Sequence, residues 1–247
     1  MPSSRAVAII PARHASTRLP GKPLLSRTGQ PLITHVLDQV QQARVFDRIL
    51  VATDDPRIHE AVVAYGGEAV MTRDDHLTGT DRIAEVAENL DHEIVVNVQG
   101  DEPEIAPSLL EELVNALHTD PQISMATAAA PLEDPALLEN PAAVKVVTDQ
   151  NGRALYFSRA PIPFPRQGDS NLSKLHVGIY AYRKDFLLRF CTWEQTPLER
   201  TESLEQLRCI ENGHTIQVID TPHRTVGIDT PEDYDLFVAR WQKNRRS

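Results

Sequence analysis

The chain has 247 residues, 41% of them hydrophobic and 24% charged. That is enough apolar content for one large α/β domain or two small ones, and too much for a disordered chain. With 25 Lys and Arg against 35 Asp and Glu, the net charge is −10, which argues against a general nucleic-acid binder, because such a protein needs basic surface to displace counterions from phosphates.

The apolar run Ala6–Ile10 is too short for a leader core or a membrane span, so a cytoplasmic protein with no membrane partner is expected. Val7–Ile10 reads as a first buried strand. Pro31 opens a helical pattern with Leu32, Ile33, Val36, Leu37 and Val40 on one face. Arg48–Ala52 is the next strand, Asp55-Pro56 caps a helix, and Gly66-Gly67 ends it. Glu68–Met71 is a third strand, followed by a helix over 81–89. Ile94–Val98, continuous and β-branched, reads as a strand buried on both faces. Pro107 opens a further helix reaching His118. Repeated strand–helix units predict a parallel sheet with right-handed crossovers.

The second half changes character. Val144–Thr148 and Arg153–Ser158 flank Asn151-Gly152 and predict a β-hairpin. A proline-rich loop follows, then a strand over Val177–Tyr182. Thr196-Pro-Leu-Glu199 is a capping box for one long helix stopped by Gly213, and Thr230-Pro-Glu-Asp233 opens the C-terminal helix in the same way. The pattern predicts a single α/β domain over 1–247 with three layers, a mixed, mostly parallel sheet, and an inserted hairpin subregion at about 140–185. Cys191 and Cys209 lack C-x-x-C spacing and read as thiols in a reducing compartment.

Charge is unevenly placed. No acidic residue precedes Asp38, whereas Arg5, Arg13, Arg18, Lys22 and Arg27 all do. A cationic loop at the carboxyl end of the first strand lies where open α/β sheets bind ligands, and it can gather an anion. The P-loop pattern fails, because Ser16 stands where its first glycine belongs and Pro23 follows Lys22. The G-x-G-x-x-G dinucleotide pattern is absent. What remains is a loop of arginine forks and a compact lysine charge, stiffened by Pro20 and Pro23, which suits a triphosphate. Asp101 follows the strand at 94–98 and points into the same crevice.

Eight motifs in order carry a resemblance. They are A-R-x-x-S-x-R-x-P-G-K-P-L (12–24), T-R-x-D-H with T-G-T-D-R (72–82), V-N-V-Q-G-D-E-P (96–103), N-P-x-x-V-K-V-V (140–147), A-L-Y-F-S-R (154–159), H-V-G-I-Y-A-Y-R (176–183), L-E-Q-L-R (204–208) and G-I-D-T-P-E-D (227–233). Together they resemble the sugar-activating cytidylyltransferases that act on 3-deoxy-manno-octulosonate (KDO), over nearly the whole chain.

The resemblance implies a nucleotide-binding α/β fold, a CTP-dependent transfer of CMP to KDO, a Mg2+ cofactor, and a homodimer formed through the inserted hairpin region. It also implies the site. Arg13 and Lys22 would hold the triphosphate, with Ala12 and Arg18 beside them. Asp101 and Asp229 would be the magnesium ligands. Arg73, Thr78 and Gly79 would meet the cytosine. Gln99, Arg159, His176, Glu205 and Gln206 would meet the sugar, with Arg159 as the cation for its carboxylate. Read alone, Asp229 is a turn residue beside a cap, Arg73 a solvated arginine, His176 a structural histidine, and Glu205-Gln206 a solvated helix face. Two alternatives stay open on the residues: a cytidylyltransferase for another acid sugar (8-amino-KDO or a sialic acid), and a non-catalytic nucleotide-binding protein on the same fold.

Overall fold

β1 (Ala6–Ala12) is a buried strand that pairs in parallel with β2 (Arg48–Thr53) on one side and with β4 (Ile94–Asn97) on the other. β3 (Glu68–Met71) extends the parallel array beyond β2. The intervening helices are α1 (Leu32–Gln42), α2 (Pro56–Tyr65) and α3 (Gly79–Glu88). This is the expected alternation, read out by β-branched strands and amphipathic helices. The computed structural model describes residues 5–15, 19–166, 172–222 and 227–245. Arg18 therefore lies outside the described residues.

The described residues pack as two compact units, one from residues up to 111 together with 227 onward, the other from 112 to 222. α4 (Pro107–Thr119) carries the chain from the first into the second. The first unit is completed by the C-terminal helix, Pro231–Asn244. That helix starts on a reciprocal Thr230–Asp233 capping box and packs Tyr234, Phe237 and Val238 against Leu19, Leu32 and Ile228. Asp55 caps α2 through the Arg57 amide, and Gly66 ends it. The third helix starts two residues earlier than its hydrophobic pattern suggested, because Thr78 and Asp81 form a second capping box.

In the second unit β5 (Met125–Pro131) is antiparallel to β8 (Lys174–Arg183) and parallel to β9 (Ile216–Asp220). α5 (Pro135–Glu139) leads to the predicted hairpin of β6 (Lys145–Thr148) and β7 (Ala154–Ser158), and β6 also pairs antiparallel with β8. The fold class is mixed, mostly parallel α/β, as expected. The residues of the expected inserted subregion lie within this unit.

One detail departs further from the sequence reading. The long helix predicted from Thr196 to Gly213 is two short ones, α7 (Pro197–Glu202) and α8 (Leu207–Glu211), which follow α6 (Lys184–Phe190). The break falls at Ser203, the only non-glycine residue with positive φ (52°) among those described. It lets Arg208 fold back onto Glu199 in a buried bidentate pair, at 2.8 and 2.6 Å. Phe157 and Tyr182 are buried inside their own unit and fill its core, whereas Leu155, Phe164 and Leu172 are exposed.

Candidate active site

The loop after β1 turns back on itself at Gly21, which has φ 67° and caps a short 3-10 turn, Lys22–Leu24. A side chain at Gly21 would be strained by that φ and would crowd the His14 ring. The turn aims Lys22 at the end of β4. There Gly100 passes so close to β1 that an added Cβ would stand 2.7 Å from the Pro11 carbonyl oxygen. Only glycine permits that approach, and it draws Asp101 over the end of the first strand.

Asp229 reaches the same place by a backbone bond. The Ile228 amide donates to the Asp101 carbonyl at 2.9 Å, and the Thr230 capping box fixes the chain just beyond. Lys22 Nζ consequently donates to Asp101 Oδ2 at 2.6 Å and to Asp229 Oδ1 at 3.2 Å. Two carboxylates from distant segments thus converge on one cation. Among the described residues no three metal-ligating side chains gather into a protein cage. A pair of carboxylates beside open space fits Mg2+, which takes one or two of them and completes its shell with phosphate oxygens and water.

The open space is a cleft of about 380 Å³, lined by Ala12, Arg13, Lys22, Gln99, Asp101 and Asp229 among others. Arg13 donates from Nη1 to the Leu77 carbonyl at 3.3 Å, while its Nη2 is buried with no hydrogen-bond partner among the described residues. Burial, and then the nearby Arg82 guanidinium, lowers the Arg13 pKa. A desolvated fork with an unused donor beside a cleft is suited to an anion. The cationic loop noticed in the sequence therefore delivers Arg13 and Lys22 to one cleft with both aspartates and Gln99.

The expected cytosine residues are placed differently. Arg73 is exposed and faces Asp75 at 3.4 Å and Glu85 at 3.7 Å. The Thr78 hydroxyl is engaged in the α3 capping box with Asp81. Gly79 packs toward Pro11, at 3.3 Å from a built Cβ to that ring. Sequence reasoning missed Arg82, which is fully buried. It donates to Asp54 Oδ2 at 2.9 Å, to the Arg73 carbonyl at 3.2 Å, and to the Thr72 hydroxyl. It thereby ties the end of β2 to the segment entering α3. The available signal was a cation near a helix N-terminus, where the helix dipole disfavours it.

The remaining candidates lie in the second unit. Arg159 donates from Nε to the Glu202 carbonyl at 2.7 Å, from Nη1 to Pro141 O at 2.9 Å and from Nη2 to Ser203 O at 3.3 Å. Three of its five donors are therefore held by backbone, which fixes the fork and leaves two. Lys145, also missed, is buried beneath it and donates to the carbonyls of Asn140, Ala143 and Arg159 at 2.5 to 3.0 Å. Burial lowers its pKa. Tyr180 stands 5.6 Å from the His176 ring, and burial, then Glu205 and Cys209, raise its pKa. Gln206 does not lie on a solvated helix face. It is the buried cap of α8, and its Nε2 has no hydrogen-bond partner among the described residues.

Comparison with known proteins gives a consistent result. A family described as Cytidylyltransferase matches residues 7–216. A 3-deoxy-manno-octulosonate cytidylyltransferase of Syntrophotalea carbinolica is 52% identical over 235 residues, 92% of this chain and 94% of that one. Its counterpart from Pelobacter propionicus is 48% identical, over 92% and 93%. A solved structure of CMP:2-keto-3-deoxy-manno-octonic acid synthetase complexed with CTP superposes with a TM-score of 0.94 at 43% identity, covering 98% of this chain and all of that one. A 4-diphosphocytidyl-2C-methyl-D-erythritol synthase from Anaerococcus prevotii, at 17% identity and TM-score 0.66, shares the fold.

Proposed function

Because the chain belongs to the cytidylyltransferase family, among the 3-deoxy-manno-octulosonate cytidylyltransferases, we propose that it transfers CMP from CTP to the anomeric 2-hydroxyl of KDO. The hydroxyl gives up its proton to solvent as its oxygen bonds to the α-phosphorus, the bond from that phosphorus to the β-phosphate bridge breaks, and pyrophosphate leaves. The observation that carries this reading is the convergence of Asp101 and Asp229 on Lys22 in the cleft that Arg13 borders.

Such chemistry is mostly positioning and charge neutralisation. Arg13 contributes a fork for non-bridging phosphate oxygens, and Lys22 a point charge for oxygens that gain charge during transfer. Asp101 and Asp229 would hold Mg2+, which supplies Lewis acidity at a phosphate oxygen or the attacking hydroxyl. Gln99 borders the same cleft. Arg159, with two donors unspent, suits the sugar carboxylate, while His176, Glu205 and Gln206 suit its hydroxyls. Gly79 at Pro11, with Arg73 and Thr78 nearby in sequence, is the candidate cytosine segment. A homodimer formed through the hairpin region is supported by the exposed Leu155, Phe164 and Leu172. A cytoplasmic enzyme supplying CMP-KDO for lipopolysaccharide or a related polymer fits the family; among the described residues no helix is long and apolar enough to cross a membrane.

The test is pyrophosphate release by purified protein with CTP and Mg2+, comparing KDO, its 8-amino analogue and N-acetylneuraminate. KDO-dependent release is expected. Release with another sugar alone would replace KDO, and CTP binding without release on any of the three would overturn the transferase reading.

A further inference from the structure

β5 and β8 pair regularly from Met125–Tyr182 to Thr127–Tyr180, and then the register jumps so that Ala128 faces Val177. Gly178 and Ile179 are thereby extra residues on β8, a bulge that crowds its backbone against Thr127. Thr127 is completely buried. Its hydroxyl oxygen lies 2.7 Å from the Ile179 carbonyl, 3.2 Å from the Val177 carbonyl and 3.0 Å from His176 Nε2.

A hydroxyl has one proton, and carbonyl oxygens have none. At 2.7 Å the contact with Ile179 is a hydrogen bond only if Thr127 donates. Its single proton is then committed to the bulge, and it turns a lone pair toward His176. The Nε2 contact in turn requires the proton to sit on the imidazole. A neutral ring protonated at Nε2 is bare at Nδ1. Burial keeps it neutral, pushing the His176 pKa down to about 3. Phe157, edge-on at 5.0 Å, and Tyr180, at 5.6 Å, wall the ring against turning over.

We propose that Thr127 is a positioning residue for the sugar site: it locks His176 as the Nε2–H tautomer and so presents Nδ1 as a fixed acceptor for a hydroxyl of the acid sugar. The proposal rests on the reading of His176 as a sugar contact in a KDO-using enzyme. It has a consequence for recognition. His176 reads a donor and cannot serve as the counter-ion of the sugar carboxylate, so that charge must be met elsewhere.

The test joins spectroscopy to kinetics on the full chain. In imidazole-15N-labelled protein, long-range 1H–15N correlations distinguish the tautomers, and His176→Gln assigns the signal. The native protein should show Nε2–H and a bare Nδ1 across roughly pH 5 to 8; an Nδ1–H or doubly protonated ring would overturn the proposal without any variant being made. Thr127→Val should lose the single tautomer and raise KM for KDO roughly three- to tenfold while leaving KM for CTP unchanged, and Thr127→Ser should restore both. An unchanged tautomer in folded Thr127→Val, or an equal rise in both KM values, would sink it. Failure of the native enzyme to use KDO would overturn the substrate reading alone, because the tautomer is measured without sugar.

Discussion

The Lys22 ammonium and the Asp101 carboxylate lie 2.6 Å apart, with Asp229 at 3.2 Å from the same nitrogen. The lysine thus pairs with both of the acids that the proposed reaction assigns to Mg2+, and offsets one of their two charges. A divalent cation entering between them competes with the ammonium. Lys22→Met should therefore bind Mn2+ more tightly than the native chain when nucleotide is absent, roughly three- to tenfold, as expected for a partly solvated ion pair. Its turnover should collapse. Electron paramagnetic resonance of free Mn2+ during titration reads the affinity; an unchanged or weaker affinity would show that the ammonium does not guard the carboxylates.

Removing either carboxylate tests the same centre from the other side. Asp101→Ala and Asp229→Ala should each lower kcat by about a hundredfold or more, and EDTA should abolish pyrophosphate release. Thermal melts of both variants should stay close to the native one, because each acid is partly exposed and its ion pair contributes little to folding. Full activity in either variant would remove that residue from the centre.

Arg13 holds a buried Nη2 without a hydrogen-bond partner among the described residues. Arg13→Lys keeps the charge but loses the fork, and should raise KM for CTP about tenfold with KM for KDO little changed. Steady-state kinetics at saturating second substrate decide the point. An unchanged KM for CTP would leave the guanidinium a structural group.

The Asp55 cap gives a pH signature. Its carboxylate accepts from the Arg57 side chain at 3.0 and 2.6 Å and from the Arg57 amide at 2.9 Å. Those bonds lower its pKa from 3.8 to about 2. A carboxylate with a depressed folded-state pKa stabilises the protein above its unfolded pKa, and that stability is lost as pH falls through the folded value. Asp55→Ala should cost about 1 kcal/mol near neutrality, and the difference from native should shrink between pH 5 and 2. Urea melts across that range measure it; a gap that persists undiminished at the acid end would contradict the assignment.

Much of the first unit was legible because its strands are β-branched runs and its helices carry caps and amphipathic stripes. β5 was not, since Met125–Pro131 is mostly alanine and has no strand signature of its own; it is a strand because β8 and β9 flank it. The false long helix after Thr196 arose because its capping box is real, whereas the break at Ser203 answers to a non-local demand, the buried Glu199–Arg208 pair. In the site, the cationic loop was visible as charge. The meeting of Asp229 with Asp101 depends on a backbone bond between distant segments, which no local pattern encodes. Lys145 was passed over because backbone carbonyls hold it, which leaves no mark in the amino-acid order, and Arg82 because its ion pair with Asp54 joins separate segments.

The return of residues 227–245 to the first unit has a bearing on biosynthesis. Lys22 and Asp101 are synthesised well before the acid that completes their cluster, Asp229, which is held by the Ile228 backbone bond and the helix that follows it. A chain cut short before residue 229 lacks both the second carboxylate and the helix that covers Leu19 of the cationic loop. The second carboxylate is thereby tied to the packing of the C-terminal helix, and a protease that trimmed this helix would disturb the cleft together with the Leu19 and Leu32 side chains it covers.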